Sequence, residues 1–228
     1  MKIRQTFLLI LVSSLGSLAL EDLKQKTLVF PEASNTAHVI LRPVRQQPLT
    51  NFTVCLRSYT DLSRGHSLFS YATRKAYNEL LVYKHKPNQY SLYVGGSMVT
   101  FSIADNPVPK PLWEHICVSW ESVTGIAELW LNGVSLPRKG MKRGYTIGPE
   151  ASIVLGQEQD SFGGGFDINE SFTGEISDVF MWDRVLSSQE VVSVRYGDRL
   201  SNYLIDWQSL NYEIKGYVVV KPSTFSSS

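Results

Sequence analysis

Four carboxylates fall within 13 residues of one glycine-rich stretch: Glu158, Asp160, Asp167 and Glu170, on a chain that runs from Gly156 through Gly163-Gly164-Gly165. A hard cation such as Ca2+ takes about six to eight oxygen ligands, and closely spaced carboxylates and amides on a pliant loop can supply them. Without a cation the same charges repel one another. The spacing is not that of an EF-hand, so on composition alone a solvated acidic loop competes with a metal site.

Other chemistries are weaker. Glu158 and Asp160 could be the acid and nucleophile of a glycosidase, since β-sandwiches host such enzymes. The chain has no G-x-S-x-G elbow, no H-E-x-x-H and no phosphate-binding glycine loop, and His38, His66, His85 and His115 are scattered. The cluster Arg138, Lys139, Lys142 and Arg143 could hold sulfated glycans or DNA phosphates, but no aromatic residues interleave it for base stacking. Sequons occur at Asn51-Phe-Thr53 and Asn169-Glu-Ser171. A glycan at Asn169 would crowd whatever the acidic loop binds, so Asn51 is expected to be the better glycosylation site.

These residues need a compartment. Lys2 and Arg4 precede the apolar run Phe7 to Val12, and Ser17-Leu18-Ala19 places small residues where a signal peptidase reads. The expectation is a signal peptide over 1–19, a single domain over 20–228, and a secreted, extracellular product. Removing Lys2 and Arg4 leaves 20 of the 22 basic side chains against 21 acidic ones, too balanced for a broad polyanion-binding field. Cys55 and Cys117, the two cysteines of the chain, would mature in an oxidising lumen and are expected to form one disulfide.

The elements that must position the site read as β almost throughout. Ile116 to Leu136 forms strand, turn, strand, turn, strand around Thr124-Gly125 and Asn132-Gly133, the second a strong hairpin signal. Tyr90 to Val94 and Met98 to Ile103 flank Gly95-Gly96-Ser97 as another hairpin. Val29-Phe30, Phe52 to Leu56, Leu80 to Tyr83, Ile153 to Leu155, Ile176 to Trp182 and Tyr217 to Val220 supply further runs at sandwich spacing. One helix is expected after Ser187, which with Glu190 makes a capping box and is followed by a closing Gly197. The Ser-rich tail from Pro222 is expected to fray.

The segment His115-Ile-Cys117-Val-Ser119-Trp120-Glu-Ser122 resembles the pentraxin signature, and the likeness extends over 20–228. The resemblance implies an all-β fold: a flattened jelly-roll sandwich of two antiparallel sheets with one short α-helix, assembled as a cyclic homopentamer, with a Cys55–Cys117 bridge. It implies a non-enzymatic, calcium-dependent, lectin-like protein of innate immunity and the acute phase. Its ligands would be phosphate-bearing groups or acidic glycans, including those on the membranes of microbes or damaged cells; complement engagement is left open.

By the same resemblance, two Ca2+ per subunit lie on the face opposite the helix. Their ligands fall on Asn78, Glu158, the backbone carbonyl of Gln159, Asp160, Asp167 and Glu170. Tyr83 and Tyr93 flank the bound ligand, and the acidic residue that holds a choline ammonium in some members falls on Met98. Two departures stand out. Tyr77 occupies the place of an Asp beside Asn78, and Glu170 the place of a Gln. A phenol ionises only near pH 10, so one cation is expected to be held and the other weakly bound or absent, unless Glu79 or a water fills the gap.

Overall fold

The computed structural model describes residues 22–104 and 112–225; the expected signal peptide lies outside the described residues. Two antiparallel sheets face each other. One runs in the order Val134–Ser135, Ile126–Leu131, Glu114–Glu121, Asn51–Tyr59, Gly174–Trp182, Lys26–Phe30, Val219–Pro222, with Lys139–Gly140 beside Ile126–Leu131 and Tyr203–Ile205 beside Gly174–Trp182. The other runs Asn211–Lys215, His38–Arg42, Ala151–Leu155, His66–Thr73, Leu80–Lys86, Gln89–Val94, Ser97–Ser102. This is the expected jelly-roll sandwich.

The turns form where backbone chemistry allows them. Asn132 and Gly133 take φ values of 52° and 80°, the left-handed pair that a two-residue hairpin requires. Gly95 and Gly96 do the same at 52° and 75°. Ser97, expected to belong to that turn, instead opens the next strand and pairs with Val94. Strand alternation then sorts side chains between layers. Leu80, Val82, Tyr90, Leu92 and Val94 turn inward against Phe52, Trp120, Leu129 and Ile176 in one continuous core.

A second apolar cluster covers the outer face of the sheet containing Asn51–Tyr59. Cys55 and Cys117 are register partners on adjacent strands and are joined by a disulfide. Trp130, Trp182, Leu186, Val191 and Val194 pack around them, the last two from the helix Ser188–Arg195. The Ser187 side chain accepts from Glu190 N, and Glu190 Oε2 accepts from Ser187 N at 2.8 Å, closing the expected capping box. Arg184 reinforces it with two bonds to Glu190 at 3.0 and 2.7 Å.

Several expectations need correcting. His38–Arg42, His66–Thr73, Tyr203–Ile205 and Asn211–Lys215 are strands that the hydrophobic pattern did not reveal. His66–Thr73 is buried at every position, so no alternation marks it. The last strand begins at Val219 rather than Tyr217. Of the tail from Pro222, the described part packs down at Phe225: its ring lies under the Arg57 guanidinium, 3.8 Å from ring centroid to guanidinium carbon, and edge-on to Trp113. No helix among the described residues is long and apolar enough to cross a membrane.

Candidate metal centre

The acidic loop leaves strand Ala151–Leu155 of one sheet and enters Gly174–Trp182 of the other, so both layers hold its ends. Gly156 takes φ +88°, and a Cβ there would lie 2.2 Å from the Phe30 ring, so only glycine permits this exit. At Gly165, φ +77°, a Cβ would stand 2.8 Å from that of Asp160. The loop folds back tightly against its own carboxylate.

Long-range bonds then fix its height above the sheet. Gln159 is fully buried; its Nε2 donates to Ser70 O at 3.2 Å and Ser152 O at 3.0 Å, and its Oε1 accepts from Gly163 N at 2.9 Å. Arg64 Nη1 donates to Asn169 O at 2.9 Å and Ser171 O at 2.7 Å. Asp167 caps the 3-10 turn Ile168–Glu170, its Oδ1 accepting from Asn169 N and Nδ2, both at 2.9 Å.

The consequence is a convergence of charge. Carboxylate oxygens of Glu158, Asp160 and Glu170 lie within 4.8 Å of one another. Glu158 is 5% exposed while Asp160 is exposed, so the cluster has a buried floor and an open mouth. Burial, then the charges of Asp160 and Glu170, push the Glu158 carboxyl up to about 7. Burial likewise raises Glu170, against the hydrogen bond that it accepts from Tyr83.

Asn78 completes the floor. Its side chain faces Glu158 and acts against the burial of that carboxyl, while its Oδ1 is buried without a hydrogen-bond partner. An orphaned carbonyl oxygen beside three mutually repelling carboxylates is what an oxygen-seeking divalent cation would satisfy. Gln159 has its side chain committed to the sheet, so only its backbone could contribute. Asp167 sits at the rim, occupied in capping.

Tyr83 and Tyr93 flank the cluster from neighbouring strands. Tyr83 pairs with Ser91 and Tyr93 with Leu81, which places both rings on the outer face of their sheet. The Tyr83 phenol is shifted upward by burial and by Glu170, and Tyr93 upward by burial, Glu158 and Glu170. Met98 stands directly opposite Tyr93 and is exposed. Tyr77 is 50% exposed beside Asn78. Glu79 is buried and turned elsewhere, accepting from Tyr145 Oη and Gly148 N, both at 3.0 Å.

The remaining candidates do not converge. Cys55, His115 and Cys117 crowd together, but the disulfide removes both thiolates. In the basic cluster Arg138 pairs with Glu128, Lys142 lies over the Tyr145 ring, and Arg143 donates to Val123 O at 3.1 Å. Sequence reasoning missed Arg64 and the Gln159 side chain, because their partners lie far along the chain.

The profile of the pentaxin family matches residues 26–222. This chain belongs to the pentraxin family. Among curated pentraxins, serum amyloid P-component of Bos taurus is 55% identical over 202 residues, 88% of this chain and 89% of the relative. The Homo sapiens protein of the same name is 51% identical over 213 residues, covering 93% and 94%. A mucosal pentraxin of Mus musculus is 50% identical over 208 residues, 91% of each. Among solved structures, a native heptameric SAP-like pentraxin from Limulus polyphemus superposes with a TM-score of 0.81 at 26% identity, covering 90% of this chain and 98% of that one. Pentraxins such as serum amyloid P-component are recognition proteins rather than enzymes, which sets aside the hydrolytic reading of Glu158 and Asp160.

Proposed function

We propose that this pentraxin is secreted after loss of residues 1–19 and works as a calcium-dependent, lectin-like recognition protein for phosphate-bearing or acidic ligands. The observation that carries the reading is the cluster of Glu158, Asp160 and Glu170 beside the unpartnered Asn78 Oδ1, flanked by Tyr83 and Tyr93. Asn78, Glu158, the Gln159 carbonyl, Asp160, Asp167 and Glu170 would hold Ca2+, which supplies a positive centre for an anionic oxygen. This chain's own residues shape what approaches: the tyrosines pack the ligand's carbon atoms, and Met98 offers no carboxylate to a quaternary ammonium.

The site is unequal by composition. Tyr77 contributes no carboxylate, and Glu79 is spent on Tyr145 and Gly148. One cation is held firmly and the other weakly, which favours weak ligand binding; complete loss of metal binding, leaving a scaffold pentraxin, is the reading to test against. Subunits assemble as a ring of five, since one heterologous interface reused around an axis closes without free ends, and several weak sites on one face gain avidity. Asn51 carries a glycan. The cluster Arg138, Lys139, Lys142 and Arg143 would be the point of contact for sulfated glycans or DNA.

Calcium titration by calorimetry, with and without phosphoethanolamine, tests this directly. Two unequal calcium sites with phosphoethanolamine binding only in calcium support it. Absence of heat at millimolar calcium overturns it in favour of the scaffold.

A further inference from the structure

The sequon Asn169-Glu170-Ser171 has at its centre a member of the carboxylate cluster. The Asn169 side chain is exposed on the 3-10 turn, and its neighbour Ile168 is 45% exposed. The turn is not free to swing away, because Arg64 grips the carbonyls of Asn169 and Ser171 and the Ser171 hydroxyl is bonded inward to Ile168 O at 2.7 Å. Asn51, by contrast, opens a central strand and is half-buried.

We propose that Asn169 is N-glycosylated in the secreted protein and that its glycan screens the carboxylate site from extended surfaces while admitting small soluble phosphates. The screening half rests on the metal-site reading above; the modification half rests only on secretion.

The chemistry is compatible with the folded contact. In transfer, Asn169 Nδ2 forms a bond to the anomeric carbon of a lipid-pyrophosphate-linked oligosaccharide. The carbon–oxygen bond to pyrophosphate breaks, its electron pair leaves with the lipid pyrophosphate, and Nδ2 gives up one proton to a base of the transferring enzyme. A second N–H remains. That one hydrogen suffices for the bond to Asp167 Oδ1, where Nδ2 now donates at 2.9 Å. Transfer precedes folding, so the later burial of Ser171 does not hinder it.

The glycan root then lies about one Cα–Cα step, ~3.8 Å along the chain, from Glu170. Held by Arg64, it rises from the rim of the mouth that Asp160 leaves open. A membrane or polymer must approach flush to engage several subunits of a ring, whereas a free phosphate monoester needs only one open path.

The test uses protein secreted from glycosylating animal cells, with Asn51→Gln so that the Asn169 glycan is studied alone, and the unmodified sequence in parallel. Peptide mass spectrometry should find Asn169 converted to Asp by enzymatic deglycosylation; an unmodified Asn169 peptide overturns the proposal. Trimming to a single N-acetylglucosamine should leave calcium and phosphoethanolamine affinity unchanged within about twofold, yet raise retention on phosphatidylethanolamine-containing vesicles about tenfold. Unchanged vesicle retention overturns the screening role. If neither form binds calcium, the metal-site reading and the screening role fall together, and the peptide result still decides occupancy.

Discussion

Tyr83 Oη donates to Glu170 Oε1 at 3.3 Å, tying a strand of the sheet to the last carboxylate of the acidic loop. Hydrogen bonds of this kind orient metal-binding carboxylates. Tyr83→Phe is expected to weaken the tighter calcium site about tenfold, read by calorimetry, while the thermal midpoint in chelator barely moves. Unchanged calcium affinity would show that Glu170 needs no such support.

Tyr77 is exposed next to Asn78, with Glu79 locked on Tyr145 and Gly148. Tyr77→Asp restores a carboxylate and should tighten the weaker calcium site about tenfold, leaving the stronger one alone. Two equal, tight sites in the unsubstituted protein would contradict this.

Met98 stands across the strand pair from Tyr93, at the edge of the tyrosine-lined surface. Immobilised phosphoethanolamine should therefore retain the protein more strongly than phosphocholine. Met98→Glu should raise phosphocholine binding about threefold to fivefold, the scale of an exposed charge pair. Equal retention on both resins from the start would remove Met98 as the discriminating residue.

His66 and His115 are buried, and burial lowers them to about 4 and about 3 from an ordinary 6.5. The unfolded chain takes up protons near 6.5 that the folded chain refuses, so both contributions are complete above that value and decline as pH falls toward 4 and 3. Between pH 6 and 5, in chelator, each histidine should lower the unfolding free energy by about 1.2 kcal/mol. Urea titrations at several pH values on the unsubstituted chain and on His66→Phe check this, because Glu158, raised to about 7, takes up a proton in the fold and opposes the trend in both; the same pH slope in the two proteins would mean that the His66 ring is protonated in the fold.

What was legible in the chain was local or already paired in type. Asn132-Gly133 needs only its own backbone to turn, Ser187 and Glu190 cap each other within one helical turn, and the two cysteines had only each other. The carboxylates of the site were visible as a cluster. Their support was not: Arg64 reaches Ser171 across 107 residues and Gln159 reaches Ser70 across 89, and no nearby pattern announces either bond. The strand His66–Thr73 escaped notice because burial of both faces erases alternation. The Ser-rich composition of the tail concealed Phe225, whose ring is anchored by Arg57 and Trp113.

The helix Ser188–Arg195 lies over the disulfide on the outside of one sheet, and the carboxylates lie outside the other. The two surfaces are back to back, separated by the full thickness of the sandwich core. A particle pressed against the acidic side would leave the helical side bare, so a coated particle would display a layer of helices lying along its outer surface. On the reading proposed above, the acidic side would hold and the helical side would be shown, and neither would have to move for the other to work.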